Sequence, residues 1–340
     1  MFESLDALKF YFATHPETLA GIKTINFCNA SAHLLLDELK SKHEVFCMQT
    51  FRPLYLQLSS KGYQVDSKLL NSCQLSLICL SKQKEESLSL LGIAAQQTEA
   101  SGSLLAFGSN DSGAKSFHKK IKKEYGVEVE TFSKNKCRII TIKRSDISEK
   151  VINQWLSEGD PKPIESRLIA TPSSFSSKKI DRGSILLSEF FKEFDFKGPG
   201  ADFGSGYGYL SWKLLTEGIA PESIDLYEAD FNSVTCAQQN LNGFSETSKL
   251  KFHWADVLCE TPANQFAWII MNPPFHIANK TQTGLGQKFI QSASKSLRRT
   301  GELLMVANRS LPYEEVLDEH FFKHETLCEQ DGYKVLKAVK

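Results

Sequence analysis

The same order of predicted strands and helices occurs twice along this chain of 340 residues, and this repetition limits the fold more than any other feature. In the second half, two strands alternate with two helices before a final strand pair, in the segments "FAWIIM", "GQKFIQSASKSLRR", "TGELLMVAN", "YEEVLDEHFF" and "HETLCEQDGYKVLKAV". The first half has "LSLICL", "ESLSLLGIAAQQTEA", "SGSLLAFGSN", "AKSFHKKIKKEY" and "VEVETFSKNKCRIITIKR". Asp331-Gly332 between two alternating runs is typical of a tight β-hairpin.

This repetition predicts an internal duplication of an α/β unit. Any two α/β halves share part of the rhythm, but the matching strands "SLLAF" and "ELLMV", each opened by a glycine, favour duplication. We therefore predict two tandem Rossmann-like domains, each a mostly parallel twisted sheet ending in an antiparallel hairpin. Prolines, a glycine and alternating charges in "LSEGDPKPIESRL" indicate the boundary. The predicted segments are a first domain (1–158), a linker (159–168) and a second domain (169–340).

The composition excludes several classes of protein. Lysine plus arginine number 40 and aspartate plus glutamate also 40, so any nucleic-acid-binding surface must be local. The eight cysteines form no C-x-x-C pair, which argues against a zinc site and fits reduced thiols. No secretory signal and no membrane-length apolar run is present in the sequence. We expect a cytoplasmic protein without a metal and without a membrane partner.

A glycine-rich loop in "GPGADFGSGYGYLSWKLL" is predicted to join a strand to a helix that begins at Tyr209. Glycines there allow a tight turn and a close approach of the backbone to a ligand. The spacing is G-x-G-x-G, whereas a dinucleotide fingerprint is G-x-G-x-x-G, and together with the preceding aspartate this favours S-adenosylmethionine over NAD. Alone the signal is weak, because such a turn is often purely structural. The predicted cofactor residues here are Asp202, Gly204, Ser205, Gly206 and Gly208.

Two further acids follow the next predicted strands. Glu228 ends "SIDLYEAD" at a distance where an acid accepts hydrogen bonds from ribose hydroxyls, and a solvated charge at a strand end is the alternative. Asp256 ends "LKFHWADVL", where it would accept from an adenine amino group or simply form a turn. Because ligands bind beyond the carboxyl ends of parallel strands, we expect these acids and the loop to share one crevice.

The fourth strand of the second half ends in "NPPF", which gives the predicted catalytic residues Asn272, Pro273, Pro274 and Phe275. Asn272 is also predicted to contact the cofactor. The side-chain oxygen of Asn272 and the carbonyl of Pro273 are two acceptors for the hydrogens of an exocyclic amino group. The prolines fix φ and so make that carbonyl rigid. The ring of Phe275 is suited to stack on a base, which contributes about 1–3 kcal/mol. A strand stop with a buried ring would not explain the asparagine.

These segments resemble the bacterial ribosomal RNA small subunit methyltransferase C family, through "DFGSGYGYLS", "NPPFH", "GELLMVANRSLPY" and "FSSKKIDRGSILL". In the first half, "FGSNDSGAKS" resembles the family's G-x-N-x-x-G loop. The resemblance implies class I methyltransferase domains, S-adenosylmethionine, and N2-methylation of one guanine in 16S rRNA of the small ribosomal subunit. It also implies that only the second of two tandem domains binds cofactor. Tyr207, Glu228 and Ser310 depart from the family pattern, and we expect Tyr207 to alter the rim of the pocket.

The first domain is predicted to be catalytically silent. A sequence comparison sets Asn26 opposite Asp202 and Cys28, Ala30 and Ala32 opposite the three loop glycines, and residues 81–84 opposite NPPF. Support and RNA binding remain for this domain. The predicted RNA-binding residues are Lys119, Lys120, Lys122 and Lys123 in "AKSFHKKIKK", with Lys178, Lys179, Arg298 and Arg299 in the second domain. A solvated helix face is the alternative for the lysine run.

Four other functions compete with this interpretation. The nearest is guanine-N2 methylation of large-subunit 23S rRNA, because NPPFH also occurs in that relative. Adenine-N6 methylation of DNA or RNA shares the Asn-Pro-Pro-aromatic motif, whereas methylation of a protein glutamine favours tyrosine at the position of Phe275. A non-catalytic RNA-binding assembly factor would bind no cofactor. We expect a monomer whose partner is 16S rRNA.

Overall fold

The structure, a computed structural model, describes residues 2–69, 71–165, 167–263, 265–274, 276–277, 280–281 and 283–340. It divides into two compact units, Met1–Asp160 and Pro161–Lys340. Most of the segment predicted to be a linker belongs instead to the second unit, because Lys162–Ile164 and Leu168–Ala170 pair as an antiparallel hairpin. Ile164 and Leu168 are buried in the core of that unit.

The first unit is one sheet with helices on both faces. Its strands are β1 (Thr24–Cys28), β2 (Glu44–Met48), β3 (Gln64–Asp66), β4 (Cys73–Cys79), β5 (Thr98–Ser109), β6 (Glu130–Lys134) and β7 (Cys137–Lys143). Its helices are α1 (Phe2–Thr14), α2 (Leu34–Lys40), α3 (Arg52–Ser60), α4 (Lys84–Gln97), α5 (Ala114–Tyr125) and α6 (Glu149–Ser157). The strand order is β3-β2-β1-β4-β5-β7-β6, and only the pairs that involve β7 are antiparallel.

The second unit repeats this plan. Its strands are β8 (Lys162–Ile164), β9 (Leu168–Ala170), β10 (Pro199–Phe203), β11 (Ser223–Glu228), β12 (Lys249–Trp254), β13 (Phe266–Met271), β14 (His276–Ile277), β15 (Lys280–Thr281), β16 (Leu297–Asn308), β17 (Lys323–Gln330) and β18 (Tyr333–Val339). Its helices are α7 (Arg182–Ser188), α8 (Tyr209–Thr216), α9 (Phe231–Leu241), α10 (Thr283–Ser296) and α11 (Glu314–His320). The main sheet has the order β12-β11-β10-β13-β16-β18-β17.

The predicted fold class and the duplication are confirmed by the matching strand orders of the two sheets. The glycine-led strands β5 and β16 even share one pattern of buried and exposed positions. Each terminal hairpin turns through two residues with positive φ, Asn135-Lys136 at 48° and 58° and Asp331-Gly332 at 51° and 84°. The helices before β5 and β16 end earlier than predicted: residues 98–100 begin β5 and residues 297–299 begin β16.

The core explains why the sheet edge is available for a site. All six residues of β13 are buried, as expected for a central parallel strand covered on both faces. The loops follow the carboxyl ends of such strands, so β10, β11 and β13 bring their last residues to one edge.

None of the described helices has the length and apolar character of a membrane span. All eight cysteines are free thiols, and the described residues hold no cluster of three or more metal-ligating side chains.

Candidate active site

The glycine loop between β10 and α8 is held in a shape that L-residues rarely adopt. Gly204, Gly206 and Gly208 have φ values of 71°, 56° and 88°. The N–H groups of Gly204 and Ser205 donate to the carbonyl of Tyr227 at 2.9 and 3.1 Å, which fastens the loop to the end of β11. A Cβ added at Gly206 would meet no described protein atom within 4 Å. The loop therefore borders open space that a ligand can occupy.

Glu228 connects the loop with the end of β11. One carboxylate oxygen accepts from the Gly206 N–H at 2.8 Å, and the other accepts from the Asp230 N–H at 2.8 Å. Burial raises the pKa of Glu228 to about 7. The predicted grouping of this acid with the glycine loop is thus what the structure shows.

Asp202 lies on β10, two residues before the first loop glycine, and is fully buried. One oxygen accepts from the hydroxyl of Ser211 on α8 at 2.7 Å, whereas Oδ1 has no partner within the described part of the chain. The buried hydroxyl of Ser205 also has no partner there. Burial raises the pKa of Asp202 to about 7. Two unsatisfied polar atoms beside a glycine cradle are the groups that a bound polar ligand would satisfy.

Asp256 is engaged in a local turn. Its Oδ1 accepts from the N–H of Leu258 at 3.0 Å, and its own N–H donates to Glu260 at 3.0 Å. The side chain is buried. This is the turn geometry that the sequence left open as an alternative, and contact with an adenine amino group stays a prediction.

Asn272 follows β13 at the same sheet edge, with its amide held by two partners. Its Nδ2 donates to Asp181 Oδ2 at 2.9 Å and to Ser184 Oγ at 2.7 Å. Pro273 is buried and Pro274 is exposed. Phe275 lies outside the described residues. The side-chain oxygen of Asn272 takes no part in either contact, so it remains available as an acceptor.

Residues 171–181, here called the bridging segment, connect the two parts of the site. Near its start, Ser174 Oγ lies 2.8 Å from Ser233 Oγ, which donates to Asp230 at 2.7 Å, two residues beyond Glu228. At its end, Asp181 accepts from Asn272. Lys178 and Lys179, two predicted RNA-binding residues, are exposed on the segment three and two positions before Asp181.

Sequence reasoning assigned no role to Asp181 or Ser184. The available signal was the pattern Asp-x-x-Ser at a helix start, since Asp181 caps α7 by accepting from the Ser184 N–H at 3.0 Å. That pattern predicts a helix cap but not a contact with Asn272. The expectation for Tyr207 was wrong: its ring is buried in the core of the second unit instead of lining a pocket rim.

The remaining basic candidates are dispersed. On α5, Lys120 pairs with Glu124 at 2.5 Å and Lys122 with Glu128 at 2.8 Å, so part of the expected positive charge is neutralised. Arg298 and Arg299 are exposed at the amino end of β16, the edge of the sheet opposite the one that carries Asn272. An RNA contact by these arginines stays a prediction, and they lie at the end of the sheet away from Asn272.

The strand registers align the two units one residue differently from the sequence comparison. When β5 is superimposed in sequence on β16, the residues that pair with them, Leu77 of β4 and Ile270 of β13, correspond. Phe27 of β1 pairs with Leu77, and Asp202 of β10 pairs with Ile270, so Phe27 corresponds to Asp202. Asn26 therefore does not correspond to Asp202, because the sequence comparison was displaced by one position. The loop glycines correspond to Asn29, Ser31 and His33, of which Asn29 keeps a positive φ of 54°.

The same registers place Gln49 where the second unit has Glu228. Its Nε2 donates to the carbonyl of Ala30 at 2.6 Å, and its Oε1 accepts from the Phe51 N–H at 2.9 Å. Asn272 corresponds to Cys79, not Ser81, so residues 272–274 face Cys79-Leu80-Ser81. The first unit has neither acid and lacks the amide, which supports its predicted catalytic silence.

A family model described as "Methyltransferase small domain" matches residues 165–337, just over half of the chain. The chain belongs to the methyltransferase small domain family. The matched region of this methyltransferase contains the glycine loop, Glu228, the bridging segment and Asn272.

Similar proteins cover more of the chain than the family model does. The chain is 29% identical over 258 residues to a "Ribosomal RNA small subunit methyltransferase C" of Shewanella pealeana, covering 74% of this chain and 73% of the relative. A protein of the same name from Alteromonas mediterranea is 27% identical over 345 residues, covering 92% and 93%. These relatives confirm the resemblance drawn from the motifs.

A solved structure shares the fold of both units of this methyltransferase. It is a "16S rRNA N2 G1207 methyltransferase" from T. thermophilus in complex with AdoMet and guanosine. The TM-score is 0.74 at 22% sequence identity, and the match covers 93% of this chain and 88% of the other. At this identity the likeness establishes the architecture.

Proposed function

We propose that this chain transfers a methyl group from S-adenosylmethionine to the exocyclic N2 of a guanine in 16S rRNA. The observation that carries the proposal is the Asn272 amide, held at the sheet edge where the glycine loop and Glu228 also end. The names of the full-length relatives support the substrate, and the partner named for the similar structure supports the cofactor.

The residues of the second unit fit the cofactor. The open space at Gly206 accommodates a ligand against the backbone, and the Glu228 carboxylate has further lone pairs for ribose hydroxyls. The unpartnered Asp202 Oδ1 and Ser205 Oγ add acceptor and donor capacity beside the loop. S-adenosylmethionine, when bound, supplies an electrophilic methyl group on a sulfonium that leaves as a thioether.

The chain itself contributes binding and orientation. Asn272 Oδ1 and the Pro273 carbonyl accept hydrogen bonds from the two N–H groups of the guanine amino group. These bonds orient the amino group, so that the lone pair of its nitrogen is directed at the methyl carbon. The new N–C bond leaves a positively charged amine, whose proton passes to water. Phe275, by its position in the sequence, is proposed to stack on the base after it leaves the helix stack. No general base is needed.

The first unit is proposed to serve in support and RNA binding. In this unit Gln49 donates a hydrogen bond to the Ala30 carbonyl of the neighbouring loop, and Cys79 takes the position of Asn272. We further propose that the protein acts as a monomer in the cytoplasm, with Lys178 and Lys179 touching RNA next to the flipped base.

The decisive experiment maps methylated nucleotides by mass spectrometry in 16S and 23S rRNA from cells lacking this protein. Loss of one N2-methylguanine from 16S rRNA, restored by the purified protein with S-adenosylmethionine, is the expected result. Loss of the mark from 23S rRNA, or a missing N6-methyladenine, would replace the proposed substrate. An unchanged pattern together with absent cofactor binding would favour a non-catalytic protein.

A further inference from the structure

We propose that Asp181 and Ser184 are positioning residues, which orient the Asn272 amide so that only its oxygen faces the substrate. This inference rests on the proposed methyl transfer and adds the residues that set its geometry. Asn272 Nδ2 lies 2.9 Å from Asp181 Oδ2 and 2.7 Å from Ser184 Oγ. Both partners come from the start of α7, far from Asn272 in sequence.

The direction of the amide follows from the chemistry of its partners. A carboxylate has lone pairs and no hydrogen, so it accepts and cannot donate. Asp181 Oδ2 already accepts from the Ser184 N–H at 3.0 Å, which fixes that oxygen in place. The NH2 group of Asn272 must therefore face Asp181, because the reverse orientation would set two oxygens against each other. Oδ1 is left as an acceptor that selects an amino group over a keto oxygen.

The start of α7 is itself held tightly. Gly183 is buried against Tyr333 of β18, and a Cβ there would lie 2.9 Å from a ring carbon. Ser184 is also buried. The helix start is thus fixed to the sheet, so Asp181 and Ser184 hold Asn272 to a rigid frame and not to a loose loop. Placing a reacting group this firmly matters, because a misplacement of about 1 Å costs on the order of 100-fold in rate.

Variants of Asp181 that keep or remove the acceptor test the proposal. Asp181→Asn keeps an amide oxygen, and the Ser184 N–H, which donates to Oδ2 in the natural chain, holds that oxygen towards Asn272. We therefore expect this variant to stay within a few-fold of the natural chain in kcat. Asn272→Asp instead sets a second carboxylate against Asp181 and is expected to lower kcat about 100-fold or more.

Methyl transfer from tritiated S-adenosylmethionine to small-subunit RNA is the assay, with calorimetric cofactor affinity as the check that each variant is folded. Asp181→Ser keeps a helix-capping oxygen but not an obligate acceptor, so it should lower kcat with little change in thermal midpoint. A kcat of Asp181→Ser equal to that of the natural chain, or an equal loss of kcat in Asp181→Asn and Asp181→Ser, would overturn the positioning role. A natural chain without methyl transfer would overturn the proposed function instead.

Discussion

Gln49 in the first unit occupies the position that Glu228 holds in the second. Each side chain hydrogen-bonds to the loop that follows β1 or β10, the equivalent strands of the two units, but one donates and the other accepts. Glu228 accepts from a loop N–H, at Gly206. Gln49 donates to a loop carbonyl, at Ala30. The neutral amide of Gln49 therefore uses both its donor and its acceptor on nearby backbone groups. The carboxylate of Glu228 keeps further lone pairs for a ligand. The difference agrees with the proposal that only the second unit binds the cofactor.

Well above the pKa of about 7, where Glu228 is ionised, Glu228→Gln should weaken S-adenosylmethionine binding about tenfold or more. Hydrogen bonds to a charged group contribute about 1.5–3 kcal/mol. Isothermal titration calorimetry measures this directly and should give one site per chain for the natural protein. The matched control is Gln49→Glu in the first unit, for which we expect unchanged affinity and still one site. Equal affinity of Glu228→Gln and the natural chain would remove the acid from the cofactor site.

Gly206→Val should abolish cofactor binding, because its side chain would enter the open space beside the loop. The control is Gly218→Val, at the end of α8. That glycine also has a positive φ, 81°, and a Cβ there also meets no described atom within 4 Å. Both variants carry similar backbone strain of about 1–2 kcal/mol. Calorimetry that shows binding retained by Gly206→Val would place the ligand elsewhere.

Asn272→Ala should reduce kcat by about 100-fold or more while cofactor affinity stays within a few-fold, because the amide is proposed to act on the nucleophile. Single-turnover methyl transfer to small-subunit RNA separates this chemical step from product release. Turnover near that of the natural chain would contradict the assigned role of the amide.

Local patterns account for most of what the sequence predicted correctly. The unbroken apolar run of β13, the start of α8 at Tyr209 and the Asp331-Gly332 turn all depend on neighbours within a few positions. The contact of Asn272 with Asp181 joins residues 91 positions apart, which no local pattern encodes. The inward direction of Tyr207 likewise depends on tertiary packing.

The alignment of the two units shows the same limit. A displacement of one residue between β1 and β10 changes every assigned counterpart, yet apolar strands of similar composition compare almost equally well in either register. Backbone pairing and the positive φ of Asn29 distinguish the two. The prediction that the first unit is catalytically silent did not depend on that register, because neither alignment supplies three glycines or an asparagine-proline pair.

The lysines of α5 provide a matched pair of double variants for RNA binding. Lys119 and Lys123 are exposed, and the described residues place no carboxylate within ion-pair distance of either. Lys120 and Lys122 pair with Glu124 and Glu128. Lys119→Gln with Lys123→Gln should weaken small-subunit RNA binding more than the same change at Lys120 and Lys122. Its log–log salt slope should fall by about 0.7–0.9 per lost phosphate contact. Equal slopes in filter binding would leave the lysines as a solvated face.

The buried carboxylate of Asp202 predicts a pH dependence of stability. Its pKa is near 7 in the folded chain and well below that when unfolded, so the folded state binds more protons between about pH 4 and 7. Stability contributed by this group is therefore lost as pH rises through that window and is level above it. Asp202→Asn keeps an oxygen for Ser211 and removes the titrating charge. The thermal midpoint of this variant minus that of the natural chain should therefore increase between about pH 4 and 7. A constant difference across this range would show that Asp202 titrates alike in both states.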